Sequence, residues 1–187
     1  MRSEKERIYD AYLVSSARAG DDAAMGQLAK RWHHKLLRHA WRLTGDRDLA
    51  ADITQEAWLD ILRGIRNLNN EDAFAAWAFR VVTRRSVRSL KRRQRLREVT
   101  DALASEPDST HESDDYADQS DLATIQALIA GLPSQQRATM GLFYSEGLRI
   151  AEIAAVLDTA PGTIKTRLMH ARARLRNQLK GEADEKD

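Results

Sequence analysis

The sequence predicts an all-helical protein of two small domains joined by an acidic linker. Three observations lead there: helical apolar spacing with no sustained alternation to suggest a sheet, a polar break in the middle of the chain, and a change in the sign of charge on either side of it. At 187 residues the chain is long enough for one ordinary domain or two small ones. With 42% hydrophobic and 31% charged residues it is expected to fold. The break runs from Glu98 to Ser120, with Pro107, four serines and little apolar periodicity. From Arg80 to Arg97 there are nine basic residues and no acid, whereas Glu98 to Asp121 holds nine acids and neither Lys nor Arg. From Gly162 to Lys180 the charge is basic again. Two basic blocks around an acidic tether point to a polyanion partner, although any single run is also what a solvated helix face looks like.

Before the break, helices are predicted near 4–19, 22–43, 47–64 and 72–95. Gly45 is a natural stop for the second, and Asp46 a natural N-cap for the third. The run Asn67-Leu68-Asn69-Asn70 interrupts the pattern ahead of the fourth. In the third helix Ala50, Ile53, Thr54, Ala57, Trp58 and Ile61 form the inward face. The opposite face carries Asp48, Asp52, Gln55, Leu59 and Leu62: two leucines among acids and an amide. Such a stripe is either an ordinary solvated face or a docking surface with an apolar centre and an acidic rim. In the fourth helix Phe74, Trp77, Ala78 and Val81 recur at core spacing, with base stacking the rarer use for Trp77. Arg80, Arg84 and Arg88 fall on one face, a pattern suited to tracking a phosphate backbone. Trp32, Trp41, Trp58 and Trp77 are expected in a shared core.

After the break four short helices are expected, near 122–130, 134–144, 150–157 and 162–179. On the last, Ile164, Leu168, Ala171 and Leu175 share one narrow inward face. Opposite lie Gly162, Thr163, Thr166, Met169, His170 and Ala173, flanked by Lys165, Arg172 and Arg176 on one side and by Arg167 and Arg174 on the other. A slim face with cationic shoulders suits a major-groove reader, with base edges in the middle and phosphates at both sides. The short, alanine-rich helix before it allows the tight crossing of a helix-turn-helix, and the start at Pro161-Gly162-Thr163 could offer backbone N–H groups to a phosphate.

Several segments also resemble one family. Leu132-Pro133-Ser134-Gln135-Gln136-Arg137, Tyr144-Ser145-Glu146-Gly147-Leu148, Ala151-Glu152-Ile153-Ala154 and Gly162-Thr163-Ile164-Lys165-Thr166-Arg167-Leu168 are similar to region 4 of the extracytoplasmic-function sigma factors of bacterial RNA polymerase. Asp52-Ile53-Thr54-Gln55-Glu56-Ala57-Trp58-Leu59 and Phe74 to Val82 resemble region 2. The resemblance implies a region 2-like domain over 1–97, a linker over 98–120, a region 4-like domain over 121–180 and a tail over 181–187. It implies docking on the clamp coiled coil of the largest polymerase subunit through Asp52, Gln55, Glu56, Leu59 and Leu62. Contacts to the upstream, minus-thirty-five element would fall to Thr163, Lys165, Thr166, Arg167, Met169, His170 and Arg172. The separated minus-ten element would meet Asn67, Asn69, Asn70, Arg80, Arg84 and Arg88. The chain departs from the family pattern at Asp158, often glycine, at His170, arginine in some members, and at Arg84 and Arg88, commonly asparagine and an acid. These leave its base preferences open.

The same reading expects a cytoplasmic protein without cofactor or metal, and a controlling anti-sigma partner. The chain has no cysteine, no apolar run of the roughly 20 residues needed to span a bilayer, and no signal-peptide core at its start. It also lacks a phosphate loop, a nucleophile elbow and a metal-spaced set of ligands, so enzymatic activity is not expected. The rival is a free-standing helix-turn-helix regulator, for which no dimerisation helix is evident.

Overall fold

A computed structural model describes residues 4–101 and 127–184, and every regular element among them is helical. The first unit is built from α1 (Glu4–Arg18), α2 (Asp22–Thr44), α3 (Arg47–Gly64) and α4 (Phe74–Asp101). The helix ends follow from local chemistry. Asp21 caps α2 by accepting from the N–H groups of Ala23 and Ala24, and Gly45 closes it at φ 73°, where a Cβ would be strained. Asp46 caps α3 by accepting from Leu49 N–H at 2.9 Å. That bond, with Arg93 at 2.5 Å, holds the Asp46 carboxyl below the usual range.

Trp32 is wholly buried in this unit, edge-on to Phe74 and Phe79 with ring centroids 5.1 and 5.8 Å away. Trp41, Trp58 and Trp77 are only half-buried, so the tryptophan core expected from sequence reduces to one central ring. On α3 the inward face is as expected except that Trp58 sits at its margin. On α4 the buried face is rotated from the expected one. Phe74 and Ala78 are inside, but Ala75, Phe79 and Val82 join them, while Trp77 and Val81 are half-buried. Apolar residues nearly encircle α4 over 74–82, and the helix must pack on α2, α3 and the second unit together. The helix also outlasts its expected end near Arg95: residues 96–101, including the start of the expected linker, continue α4. The pair Gln94 Nε2 to Glu98 Oε1 at 3.0 Å supports the start of that extension.

The second unit contains a helical stretch at 127–130, α5 (Ser134–Met140), a π turn at Gly141–Ser145, α6 (Ile150–Val156) and α7 (Pro161–Asp184). The expected helix over 134–144 is therefore split by the π turn. The expected helix start at 122–126, the linker beyond Asp101 and the last three residues lie outside the described residues. α7 runs past its expected end at Leu179, so the first residues of the expected tail are helical. Asp158 takes φ 50°, as the turn between α6 and α7 requires.

The two units pack together, α5 on α2 and α6 on α4, and their buried side chains form one contiguous apolar cluster. A polar seam edges it. Arg137 donates to the Arg42 carbonyl at 3.0 Å and lies 5.7 Å over the Trp41 ring; Arg42 donates to Ser145 Oγ at 3.3 Å. Arg38 stands 3.7 Å from Glu146, which is 2% exposed. Burial pulls the Arg42 guanidinium below its ordinary pKa, against the opposing field of Glu146.

Candidate nucleic-acid interface and docking face

On α7 the wheel drawn from sequence survives almost intact. Ile164, Leu168 and Ala171 are buried and Leu175 half-buried; Gly162, Thr163, Lys165, Thr166, Met169, His170 and Ala173 are exposed. Met169 is 57% exposed, far too much for a core methionine. Thr166 donates its hydroxyl proton to the Gly162 carbonyl at 3.1 Å, leaving its oxygen lone pairs outward as an acceptor for a base amino group. Two details differ from expectation. Thr163 N–H is used within the first turn, bonded to the Ala160 carbonyl at 3.0 Å, and so is withdrawn from any phosphate. Arg167, one of the expected shoulders, is half-buried rather than exposed.

Arg172 is exposed but held. Its Nε donates to Tyr144 Oη at 2.7 Å, and its guanidinium lies 5.5 Å from the Tyr144 ring centroid and 5.9 Å from that of Phe143. The π turn is what brings these two rings to α7. Sequence reasoning missed Tyr144 in this role, because the contact crosses 28 residues and no periodicity announces it.

The α3 stripe is fully outward. Asp52, Gln55 and Glu56 are exposed, and Leu59 and Leu62 are 51% and 49% exposed. Glu56 has a second engagement that the sequence did not suggest. Arg85 of α4 bonds both Glu56 and Asp60, the latter at 2.6 Å, and holds the Asp60 carboxyl below its ordinary range. Glu56 thus belongs partly to the α3–α4 seam, while Asp52, Gln55, Leu59 and Leu62 carry the outward stripe.

Between α3 and α4 the chain makes two short 3₁₀ turns, Ile65–Asn67 and Glu71–Ala73. Asn67 and Asn69 are exposed. Asn70 is exposed too, but its side-chain oxygen caps the second turn by accepting from Asp72 N–H at 2.9 Å. It thus helps to shape the loop, and its amide N–H₂ and the second lone pair of its oxygen are not engaged by that cap. On α4, Arg84 and Arg88 are exposed and Arg80 is half-buried with its Nε out of solvent, so the stripe of free cations starts one turn later than the sequence suggests. The structure thus brings these surfaces onto one body without merging them: α7, the α3 stripe and the 67–70 loop are separate faces. Among the described residues no cluster of His, Asp or Glu could hold a metal ion, and no helix is long and apolar enough to cross a membrane.

Comparison with known proteins gives these faces a context. Residues 28–96 match the family Sigma-70 region 2, and residues 122–175 match Sigma-70, region 4. The chain is 32% identical over 174 residues to the ECF RNA polymerase sigma factor SigE of Mycolicibacterium smegmatis, covering 89% of this chain and 66% of that protein. It is 31% identical over 170 residues to the ECF RNA polymerase sigma factor SigM of Mycobacterium tuberculosis, covering 91% and 84%. Among solved structures, the sigma factor RpoE of Bartonella quintana, in complex with the anti-sigma factor NepR, superposes with a TM-score of 0.64 at 26% identity over 83% of this chain and 96% of that one.

Proposed function

The chain belongs to the extracytoplasmic-function family of RNA polymerase sigma factors and so directs transcription initiation; we propose that its two units divide that work by the surfaces described above. Asp52, Gln55, Leu59 and Leu62 dock on the clamp coiled coil of the largest subunit of bacterial core polymerase, with Glu56 at the rim. The exposed face of α7, from Thr163 to His170, enters the major groove of the upstream promoter element. Lys165 and Arg172 reach phosphates, and Thr166, Met169 and His170 meet base edges. At the downstream element, the 67–70 loop receives a base from the separated strand, and Arg84 and Arg88 follow the backbone. The protein acts by binding rather than by catalysis, in the cytoplasm, where its polymerase is.

One observation carries the reading: a leucine pair about half exposed and rimmed by acids, on the same chain as a helix whose outward face is flanked by cations. A free-standing regulator would use the second and leave the first without purpose. The Bartonella sigma factor is held in a complex with an anti-sigma factor, and an exposed docking stripe is a surface that such a partner can cover. We extend that control to this protein, with an anti-sigma protein masking the α3 stripe.

The test is transcription in vitro from a library of promoters with randomised upstream and downstream elements, using core enzyme with wild type or with Lys165→Ala/His170→Ala. Selection of one pair of elements, with the upstream preference relaxed in the variant, supports the division of labour. A preference unchanged in the variant refutes the assignment of α7.

A further inference from the structure

The loop that presents Asn67 and Asn69 is anchored at both ends by buried apolar residues, Ile65 at 3% exposure and Phe74 at 1%. Between these anchors the chain is mostly exposed, with Leu68 only half-buried. A loop that receives a base must hold its amides in place before the base arrives, because ordering them on binding would cost affinity and blur selection. The two anchors fix where the loop leaves and rejoins the fold. They do not fix how its outer part stands.

α1 supplies what the anchors lack. It packs against both 3₁₀ turns, and from its last residue, Arg18, the guanidinium reaches Glu71, 53 residues later in the chain, in an ion pair about one-third exposed on each side. Glu71 follows Asn70 directly and opens the second turn, the one that Asn70 caps through Asp72 N–H. One short segment therefore holds the cap that shapes the loop and the carboxylate that ties it to α1. The seam there is mixed, with charged side chains lying beside Ala11, Trp32, Phe74 and Ala75. A cavity of about 10 Å³ lies in it, with Arg7 and Asp10 of α1 on one side and Glu71 and Asp72 on the other. The apolar side chains set the distance between α1 and the turn, and the directed ion pair adds orientation. Behind Arg18 the backbone turns sharply at Gly20, φ 98°, into the Asp21 cap of α2, so the cation stands on a braced corner.

We propose that Arg18 and Glu71 are positioning residues for strand selection at the downstream element: their ion pair sets the stance of the 67–70 loop and with it the discrimination among bases that Asn67 and Asn69 exert. This rests on the reading of that loop as the base-receiving element. Neither residue touches the nucleic acid. Their effect passes through the Glu71–Ala73 turn.

The experiment uses holoenzyme assembled from core polymerase and the full chain. Strand opening is followed by the fluorescence of 2-aminopurine placed in the downstream element, on the preferred promoter and on one with its extruded base replaced. The variants are Arg18→Ala, Glu71→Ala and the exchange Arg18→Glu/Glu71→Arg, with Asn67→Ala/Asn69→Ala beside them. Each single variant is expected to lower the preference for the correct base by roughly two- to fivefold, the range that a partly exposed ion pair can impose, at unchanged affinity for core. The exchange is expected to restore most of it. A residue that merely held the fold together would lower thermal stability and core affinity instead and leave the ratio between the two promoters intact. Unchanged discrimination in folded Arg18→Ala and Glu71→Ala overturns the proposal. Should the single variants fail to fold, the exchange decides: recovery of fold with selectivity supports the proposal, and recovery of fold without selectivity overturns it. The asparagine control separates the two layers. If its discrimination is also unchanged, the reading of the loop itself falls; if it alone loses discrimination, only the role of the ion pair falls.

Discussion

Acidification should destabilise the first unit through a single histidine. His39 of α2 is fully buried, edge-on to Phe79 with centroids 5.2 Å apart. Its Nε2 lies 2.9 Å from Thr83 Oγ1, and that hydroxyl gives its proton to the Phe79 carbonyl at 2.9 Å. Nε2 must therefore be the donor and Nδ1 the bare nitrogen, and Nδ1 has no hydrogen-bond partner in its buried site. A second proton would bury a charge with no acceptor, beside the Arg42 cation. Burial first and Arg42 second bring the His39 pKa down from 6.5 to about 3. Between those two values the unfolded chain binds a proton that the folded chain refuses, so stability is full above pH 6.5 and falls as the pH drops toward 3. The slope is about 1.4 kcal/mol per pH unit, or about 2 kcal/mol between pH 7 and pH 5. Urea unfolding at those two pH values, for wild type and His39→Gln, measures the term. Glutamine can keep a donor toward Thr83 but has no titration, so its pH dependence over this range should be flatter by about 2 kcal/mol. An equal acid loss in both proteins, or a His39 resonance titrating near pH 6.5, would refute the reasoning.

Four further outcomes follow from the same structure. Ile164→Ala, at 0% exposure on the inner face of α7, should cost roughly 2–5 kcal/mol in thermal or urea unfolding, whereas Met169→Ala should leave stability within about 0.5 kcal/mol and weaken upstream binding in a filter assay. Arg84→Ala and Arg88→Ala should each lower the log–log salt slope of promoter binding by roughly 0.7–0.9, with Arg80→Ala, whose Nε is out of solvent, moving it less. Asp158→Val, at φ 50°, should destabilise the second unit by roughly 1–2 kcal/mol, and Asp158→Gly should not. At Gly141 a Cβ would fall on the Arg42 guanidinium, so Gly141→Val should drive that side chain from Ser145 and loosen the packing between the units. Small-angle scattering would then give a radius of gyration above the roughly 16 Å of a compact chain of this length.

What the sequence made legible was what short-range chemistry determines. Gly45 and Asp46 announce a helix end and a helix start through residue types that tolerate φ 73° and cap a free N–H. The outward α3 stripe and the α7 faces follow from spacing alone, because each helix is amphipathic with one narrow buried side. α4 was harder: from 74 to 82 its apolar residues nearly encircle the helix, and which of them go inside depends on neighbours that spacing cannot name. The contacts of Arg42 with Ser145 and of Arg137 with the Arg42 carbonyl span about 100 residues and left no local signal. Asn70 is expected to hold a base, and it also caps the second 3₁₀ turn, a role that Asn followed two residues later by a free N–H also signals. Asp52, Gln55, Leu59, Leu62, Lys165, Thr166, Met169 and His170, all on regular helices, stand outward as spacing predicts; the added contacts of Asn70 and Glu56, in a turn and at a seam between helices, have no such periodic signal.

The central claim is that the α3 stripe is the seat of the polymerase. Its most direct measure is co-purification with cognate core polymerase of wild type beside Asp52→Ala/Leu59→Ala, two exposed positions whose loss should leave the fold intact. A stable wild-type complex is expected, lost in the double variant, with helicity and duplex DNA binding retained. Equal recovery of both proteins on core, or no complex with wild type while the chain alone binds promoter DNA tightly, would contradict it.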